Sequence, residues 1–359
     1  MLALRIIVGL GLAYTLLMLL AWLFQDRLAF PAPRASLPDP KRVGVENGDK
    51  VELVSGDGTK LVGWFLKAVE VGGGQGRMVE VGHDTSTILH HPSHPPQPAA
   101  GLLWFYGNGE TIAAIWPIVR EFQPPGTAVL VLDYPGYGGS GGRATEGSLY
   151  AAADAAYAAL ATRPGVDPQR IYVYGRSLGS AVATHTAARR PVAGLIVESP
   201  FTNAAAMAKH HYRLLPTFLL RLSLDNLANV RRVRCPILLF HGDVDRLVPT
   251  AMGMAVAAAA AGPVEVVLIH GSGHNDTYDI GGRAYRDKMW SSSGGRPDCR
   301  TVRPSDPRSR PPARSGPAWP RSGAPRRRGC APRPPRRRRR TWSSARRARS
   351  LGAARRAPA

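Results

Sequence analysis

The 359-residue chain holds only three cysteines, Cys235, Cys299 and Cys330. Only Cys235 lies in the first 290 residues, just ahead of an apolar run, so a disulfide framework is not supported. Lysine is missing from residues 291–359, and acids there are reduced to Asp298 and Asp306 against 21 arginines. That segment carries +19 of the chain's net +22, which leaves +3 on residues 1–290. The body is close to neutral, so basicity gives no reason to expect a nucleic-acid partner for it. The segment after Trp290 also lacks periodic apolar residues, being mostly Arg, Pro, Ser, Gly and Ala, with the run Arg336–Arg340. Such a composition cannot bury a core, and disorder is expected over 291–359. Polyarginine can bind a polyanion. The same residues also arise when G+C-rich coding sequence is read out of frame.

Charge is absent at the other end too, over the nineteen residues Ile6–Phe24. This run is long enough to cross a bilayer. A cleaved signal peptide is the rival, but the run is long and no convincing small-x-small site follows it before Gln25-Asp26-Arg27, so residues 1–25 read as an uncleaved, single-pass transmembrane anchor. The flanking charges, Arg5 on one side and Arg27, Arg34, Lys41 and Arg42 on the other, bias the body only weakly towards the cytoplasm. Phe30-Pro31-Ala32-Pro33 opens what reads as a proline-rich spacer.

What the body does contain is an alternation of strands and helices. Val43–Glu70 forms two alternating blocks around Ser55-Gly56-Asp57-Gly58, a hairpin signal. Residues 71–100 read as a loop insertion. His83, His90, His91 and His94 within it find no cysteine or paired carboxylate to complete a metal site. Apolar strands follow at Gly101–Tyr106, Ala128–Leu132, Ile171–Tyr174, Val192–Val197, Ile237–Phe240 and Val264–Ile269, with helices at Glu146–Ala161 and Pro249–Ala261. Polar and glycine residues sit at the C-terminal end of each strand. The pattern describes an α/β fold, a mostly parallel sheet with helices on both faces and ligands at that edge. Phe201–Val230 is irregular and apolar, a lid-like segment.

The most informative stretch is Gly175-Arg176-Ser177-Leu178-Gly179, between a strand and a helix of small residues. A sharp strand-to-helix turn strains its apex and leaves no room for side chains two positions to either side, hence the glycines. The apex Ser177 projects at a helix N-terminus, where amide N–H groups favour negative charge. A nucleophilic serine needs a base, and the base a carboxylate. Later strand ends offer Asp245 with Asp243 as a decoy, and His274 with His270 as a decoy. His274 lies beyond a Gly-Ser-Gly turn that lets its loop reach back.

In this order Ser177, Asp245 and His274 resemble the catalytic triad of the α/β-hydrolase superfamily. The nearest likeness is to its membrane-anchored serine hydrolases, the serine-aminopeptidase-like or acyl-hydrolase branch. The resemblance covers Phe24–Trp290. It rests on Phe24-Gln25-Asp26-Arg27-Leu28, Gly107-Asn108-Gly109, Asp133 to Gly138, Gly175 to Gly179, Glu198 to Phe201, His241 to Asp245, and Gly273 to Asp276. It implies an α/β-hydrolase domain over 26–290, an acyl-enzyme on Ser177, and an oxyanion hole from the N–H of Leu178 with Asn108 as second donor. The substrate it implies is a small-molecule or lipid-like ester, thioester or amide, with no metal or cofactor. Two departures stand out. Tyr106 occupies the place where the family carries histidine, and the last helix looks cut short near Trp290. The competing functions are a non-catalytic binding module on the same fold and polyanion binding through the tail.

Overall fold

The computed structural model describes residues 1–69, 98–212 and 216–294. The expected tail, nearly all of the loop insertion and its four histidines lie outside the described residues. The described residues belong to one unit.

Among the described residues eight strands form one sheet in the order β1-β2-β4-β3-β5-β6-β7-β8. They are β1 (Gly48–Val54), β2 (Lys60–Leu66), β3 (Ala99–Phe105), β4 (Thr127–Leu132), β5 (Val166–Arg176), β6 (Gly194–Glu198), β7 (Ile237–Gly242) and β8 (Val264–Ile269). Among the described residues only the β1–β2 and β2–β4 pairs are antiparallel; β4, β3 and β5 to β8 run parallel. Every residue of β4, β6 and β7 is buried, as expected of parallel strands covered on both faces. β3 pairs with β4 on one side and β5 on the other, so the strand order reverses there. A reversal of this kind opens a crevice at the strands' C-terminal ends.

The helices are α1 (Leu2–Ala29), α2 (Ile112–Phe122), α3 (Glu146–Ala161), α4 (Leu178–Arg189), α5 (Ala204–His211), α6 (Asn226–Val230), α7 (Thr250–Ala259) and α8 (Thr277–Gly294). α3 starts with a reciprocal cap, Thr145 and Ser148 each bonding the other's backbone N–H. α2 carries Pro117 internally, and its segment was not legible as a helix in the sequence. α8 continues four residues past Trp290, bends at Gly282 (φ +48°), and buries Tyr285 and Met289. The lid-like segment is partly built into the body. Asn226 is fully buried; it accepts a hydrogen bond from Thr184 and donates to Ser180 Oγ and the Phe201 carbonyl.

α1 has an 18-residue window of mean hydropathy 2.3, none of it buried. At 1.5 Å per residue Ile6–Phe24 spans about 28 Å, close to the roughly 30 Å of a hydrocarbon core. The chain after it is not a free spacer. Phe30 is 3% exposed, Gly138 N donates to the Pro33 carbonyl at 2.8 Å, and Trp64 Nε1 donates to the Pro38 carbonyl at 3.0 Å. Prolines that lack an N–H still offer carbonyls, and the strap uses those to lie against the domain. Phe30→Ala should therefore lower stability by about 3–5 kcal/mol, the usual cost of emptying a buried aromatic site. The exposed Leu28→Ala should change it little. Denaturant unfolding of the two variants checks this; equal, small effects would mean the strap is loose.

Candidate active site

β5 ends at Arg176 and α4 begins at Leu178, leaving Ser177 alone at the turn with φ +52° and ψ −114°. A non-glycine residue there is strained, at a cost of order 1–3 kcal/mol. The turn is pinned by Ser177 N donating to the Glu198 carbonyl at 2.9 Å and by Ser180 Oγ donating to the Ser177 carbonyl at 2.6 Å. The two glycines are needed for contact distances. A Cβ on Gly175 would lie 2.2 Å from the Gly179 carbonyl oxygen, and one on Gly179 would lie 2.1 Å from that of Phe105. The helix backbone thus touches the end of β3, which brings the turn 106–110 beside Ser177. In the first turn of α4, Ser180 N donates to the Ser177 carbonyl at 2.9 Å, and the N–H groups of Leu178 and Gly179 ahead of it have no partner within the helix.

Asp245 and His274 come together. His274 Nδ1 lies 2.7 Å from Asp245 Oδ2, both residues buried. The carboxylate accepts, so Nδ1 carries the proton and Nε2 is left as the basic nitrogen. Asp245 Oδ1 accepts from the N–H groups of Leu247 (2.9 Å) and Val248 (2.8 Å). Burial opposes ionisation of Asp245, but the bonds from His274 and Val248 prevail and hold its pKa below the ordinary value. The structure draws no hydrogen bond from the Ser177 hydroxyl to the imidazole. Such bonds are often long in a substrate-free site and tighten on binding. The two decoys pair with each other instead, His270 Nδ1 standing 3.0 Å from Asp243 Oδ2 on the surface, with the His270 side chain 85% exposed.

Behind Asp245 lies His241, fully buried, with Nε2 2.9 Å from the Val248 carbonyl and 3.5 Å from Asp245 Oδ2. Burial pushes its pKa down, so it is neutral and its Nε2–H donates. A Cβ on Gly253 would lie 2.3 Å from His241 Nδ1, so that glycine makes room for the ring.

The turn after β3 explains Tyr106. Its ring is buried, its hydroxyl donates to Asp133 Oδ1 at 3.1 Å, and it accepts from Tyr134 N at 3.0 Å. Asp133 also accepts from Ile112 N and Gly139 N, and burial raises its pKa. The Asn108 side chain is committed elsewhere. Nδ2 donates to the Ala29 carbonyl at the end of α1 (2.7 Å), and Oδ1 accepts from the Tyr137 hydroxyl (2.6 Å). The Ala29 bond uses one of the two Nδ2 hydrogens, and the Asn108 backbone N–H has no acceptor among the described residues.

Sequence reasoning missed the groups that join these loops. Arg176, 5% exposed, donates to Glu198 Oε1 (3.2 Å), Glu110 Oε1 (2.7 Å), the His274 carbonyl (2.6 Å) and Asn275 Oδ1 (3.0 Å). Glu110 in turn accepts from Gly107 N at 2.7 Å. Glu198, fully buried, also accepts from Tyr174 (2.6 Å), Tyr285 (2.7 Å) and Thr277. Burial works against the Arg176 charge, but Glu198 foremost, with Tyr278 and Glu110, keeps its pKa above the ordinary value. The only sequence signal was Glu198-Ser199-Pro200, visible as part of a resemblance but without a role. Glu198→Gln should cost about 3–5 kcal/mol, since it leaves a buried cation short of its partner. Glu110→Gln, on a partly exposed pair, should cost at most about 1 kcal/mol. Urea unfolding ranks the two, and equal costs would contradict this account.

A family model described as serine aminopeptidase, S33, matches residues 96–227. An uncharacterised protein of Mycobacterium tuberculosis is 32% identical over 290 residues, 80% of this chain and 93% of its own length. Human alpha/beta hydrolase domain-containing protein 17B is 34% identical over 160 residues, 45% of this chain and 54% of its own. Among solved structures, the Pyrococcus furiosus esterase Pf2001 superposes with a TM-score of 0.55 at 17% identity, over 73% of this chain and 97% of that one. The α/β hydrolase GrgF from a Penicillium species does so with a TM-score of 0.53 at 18% identity, over 68% and 97%. The fold, the sequence likeness and the strained serine turn agree: the chain belongs to the α/β-hydrolase superfamily, in its serine-hydrolase branch, and is a hydrolase.

Proposed function

We propose that this hydrolase is membrane-anchored through α1 and cleaves an ester, thioester or amide by way of an acyl-enzyme on Ser177. The observation that carries this reading is the buried Asp245–His274 bond, with the His274 loop bonded by Arg176, the residue next to the strained turn at Ser177. His274 Nε2 takes the proton of Ser177 as its oxygen attacks the substrate carbonyl. Asp245, kept ionised, fixes the tautomer and balances the imidazolium. The negative oxygen is received by the backbone N–H groups of Leu178 and Asn108. His274 then returns the proton to the leaving group, and water releases the acyl group by the same steps in reverse roles. The buried Arg176–His274 carbonyl bond supports the base's loop without touching its ring.

The hydrolase domain is taken to run from residue 26 to the end of α8, with the segment 201–230 over the site as a lid. His210 and His211 bond the Arg246 and Leu247 carbonyls, which ties α5 to the loop that carries Asp245. The arginine-rich tail is proposed to be dispensable for hydrolysis.

Ser177→Ala should abolish labelling by a fluorophosphonate probe and reduce kcat on p-nitrophenyl acetate by about 10⁴–10⁶. Unchanged turnover would sink the assignment. Asp245→Asn and His274→Ala should damage kcat far more than Asp243→Asn and His270→Ala, with melting temperatures measured alongside. The reverse ranking in either pair would move the triad to the surface pair.

A further inference from the structure

A cavity of about 400 Å³ lies where α1 ends and the strap meets the loop after β4. It is lined by three guanidinium-bearing residues, Arg27, Arg34 and Arg143, and by one acid, Asp26. The acid's carboxylate already faces Arg221, 3.9 Å away. None of the three arginines has an ion-pair partner among the described residues. Arg27, Arg34 and Arg143 are all exposed, so an anion arriving from solvent can reach all three guanidiniums. Arg34 is held in place by one bond, Nη1 to the Ser140 carbonyl at 2.5 Å, which leaves its other donors free. The backbone adds to the set. The consecutive N–H groups of Gly142, Arg143 and Ala144 carry no hydrogen bond among the described residues, and Gly142 has φ +71°. Successive free amides around a left-handed residue make an anion-binding concavity. Phe30, Pro31 and Ala144 supply apolar wall beside these donors.

The place of this cavity names the anion. Arg27 sits three residues past Phe24, the last of the apolar run, which is where lipid headgroups begin if α1 spans a bilayer. Trp22 is partly exposed on the same end of α1, as aromatic residues at a membrane interface are, and Arg221 stacks over it at 5.0 Å. Guanidinium forks suit phosphate oxygens. We infer that this cavity binds the phosphate of a phospholipid headgroup, and so seats the catalytic edge of the domain on the bilayer. The inference rests on the proposed anchoring. The loop that would hold the phosphate, 136–144, includes Tyr137, whose hydroxyl bonds Asn108 in the turn beside Ser177. Headgroup binding therefore lies two side chains from the oxyanion site.

The test uses the full chain in a neutral, phosphate-free detergent. Dioctanoyl phosphatidylglycerol and inorganic phosphate are titrated separately, with binding and melting temperature as readouts. Saturable lipid binding should raise the melting temperature, and Arg27→Gln with Arg143→Gln should weaken that binding roughly tenfold or more, as loss of charge-assisted bonds does. Lysine at the same two positions should restore part of it. Lipid binding indifferent to these substitutions would overturn the site. Inorganic phosphate binding as tightly as the lipid would move the ligand into solution and overturn the headgroup assignment. Carbonate washing of wild-type membranes distinguishes loss of the anchor from loss of the headgroup site. Release of the chain would refute the anchoring itself, whereas retention with no arginine-dependent lipid binding would refute only the cavity's role.

Discussion

A single buried cation fixes the mutual placement of the strand ends that make the site. Arg176 reaches from the end of β5 to Glu198 at the end of β6, to Glu110 after β3 and to the backbone at His274 after β8. The charge cannot leave the interior without leaving Glu198 unpaired, nor can Glu198 leave without stranding Arg176. Three hydroxyls complete the Glu198 shell, one of them from Tyr285 on α8. The last helix thus takes part in holding the strand ends around Ser177.

The same edge is continuous with the N-terminal helix. Ala29 at its end accepts from Asn108, the strap behind it is bonded to Gly138 and Ser140, and Gln25 accepts from Arg221 N at 2.7 Å. A helix tethered by a flexible linker would allow the domain any orientation. This one is bonded to the turn next to Ser177, so the orientation of the site relative to the helix axis is set by the fold.

Much of this was legible in the sequence because it is local. The strand-to-helix turn announces itself through Gly175 and Gly179, and the structure gives both a steric reason. The parallel strands show as short runs of β-branched and aliphatic residues, and the family follows from motifs at their ends. Asp245 and His274 were preferred to Asp243 and His270 in the sequence, and in the structure the first pair is buried while the second lies on the surface. What escaped was non-local. A lone arginine in Gly-Arg-Ser reads as a surface residue until Glu198 and Glu110 are seen around it. Phe30-Pro31-Ala32-Pro33 has the composition of a linker, and only the partners on the 136–144 loop reveal a docked strap. The side-chain bonds of Asn108 to the end of α1 and to Tyr137 were likewise invisible in the sequence.

The central claim is that acyl transfer occurs at Ser177 between the amides of Leu178 and Asn108. The most direct measurement is a crystal structure of the diethylphosphoryl adduct of the full chain. The account predicts phosphorus bonded to Ser177 Oγ, with one phosphoryl oxygen about 2.7–3.1 Å from both amide nitrogens. It also predicts His274 Nε2 facing Ser177 with the Asp245 bond intact. Phosphorus on another side chain, or a phosphoryl oxygen turned away from those two amides, would contradict it.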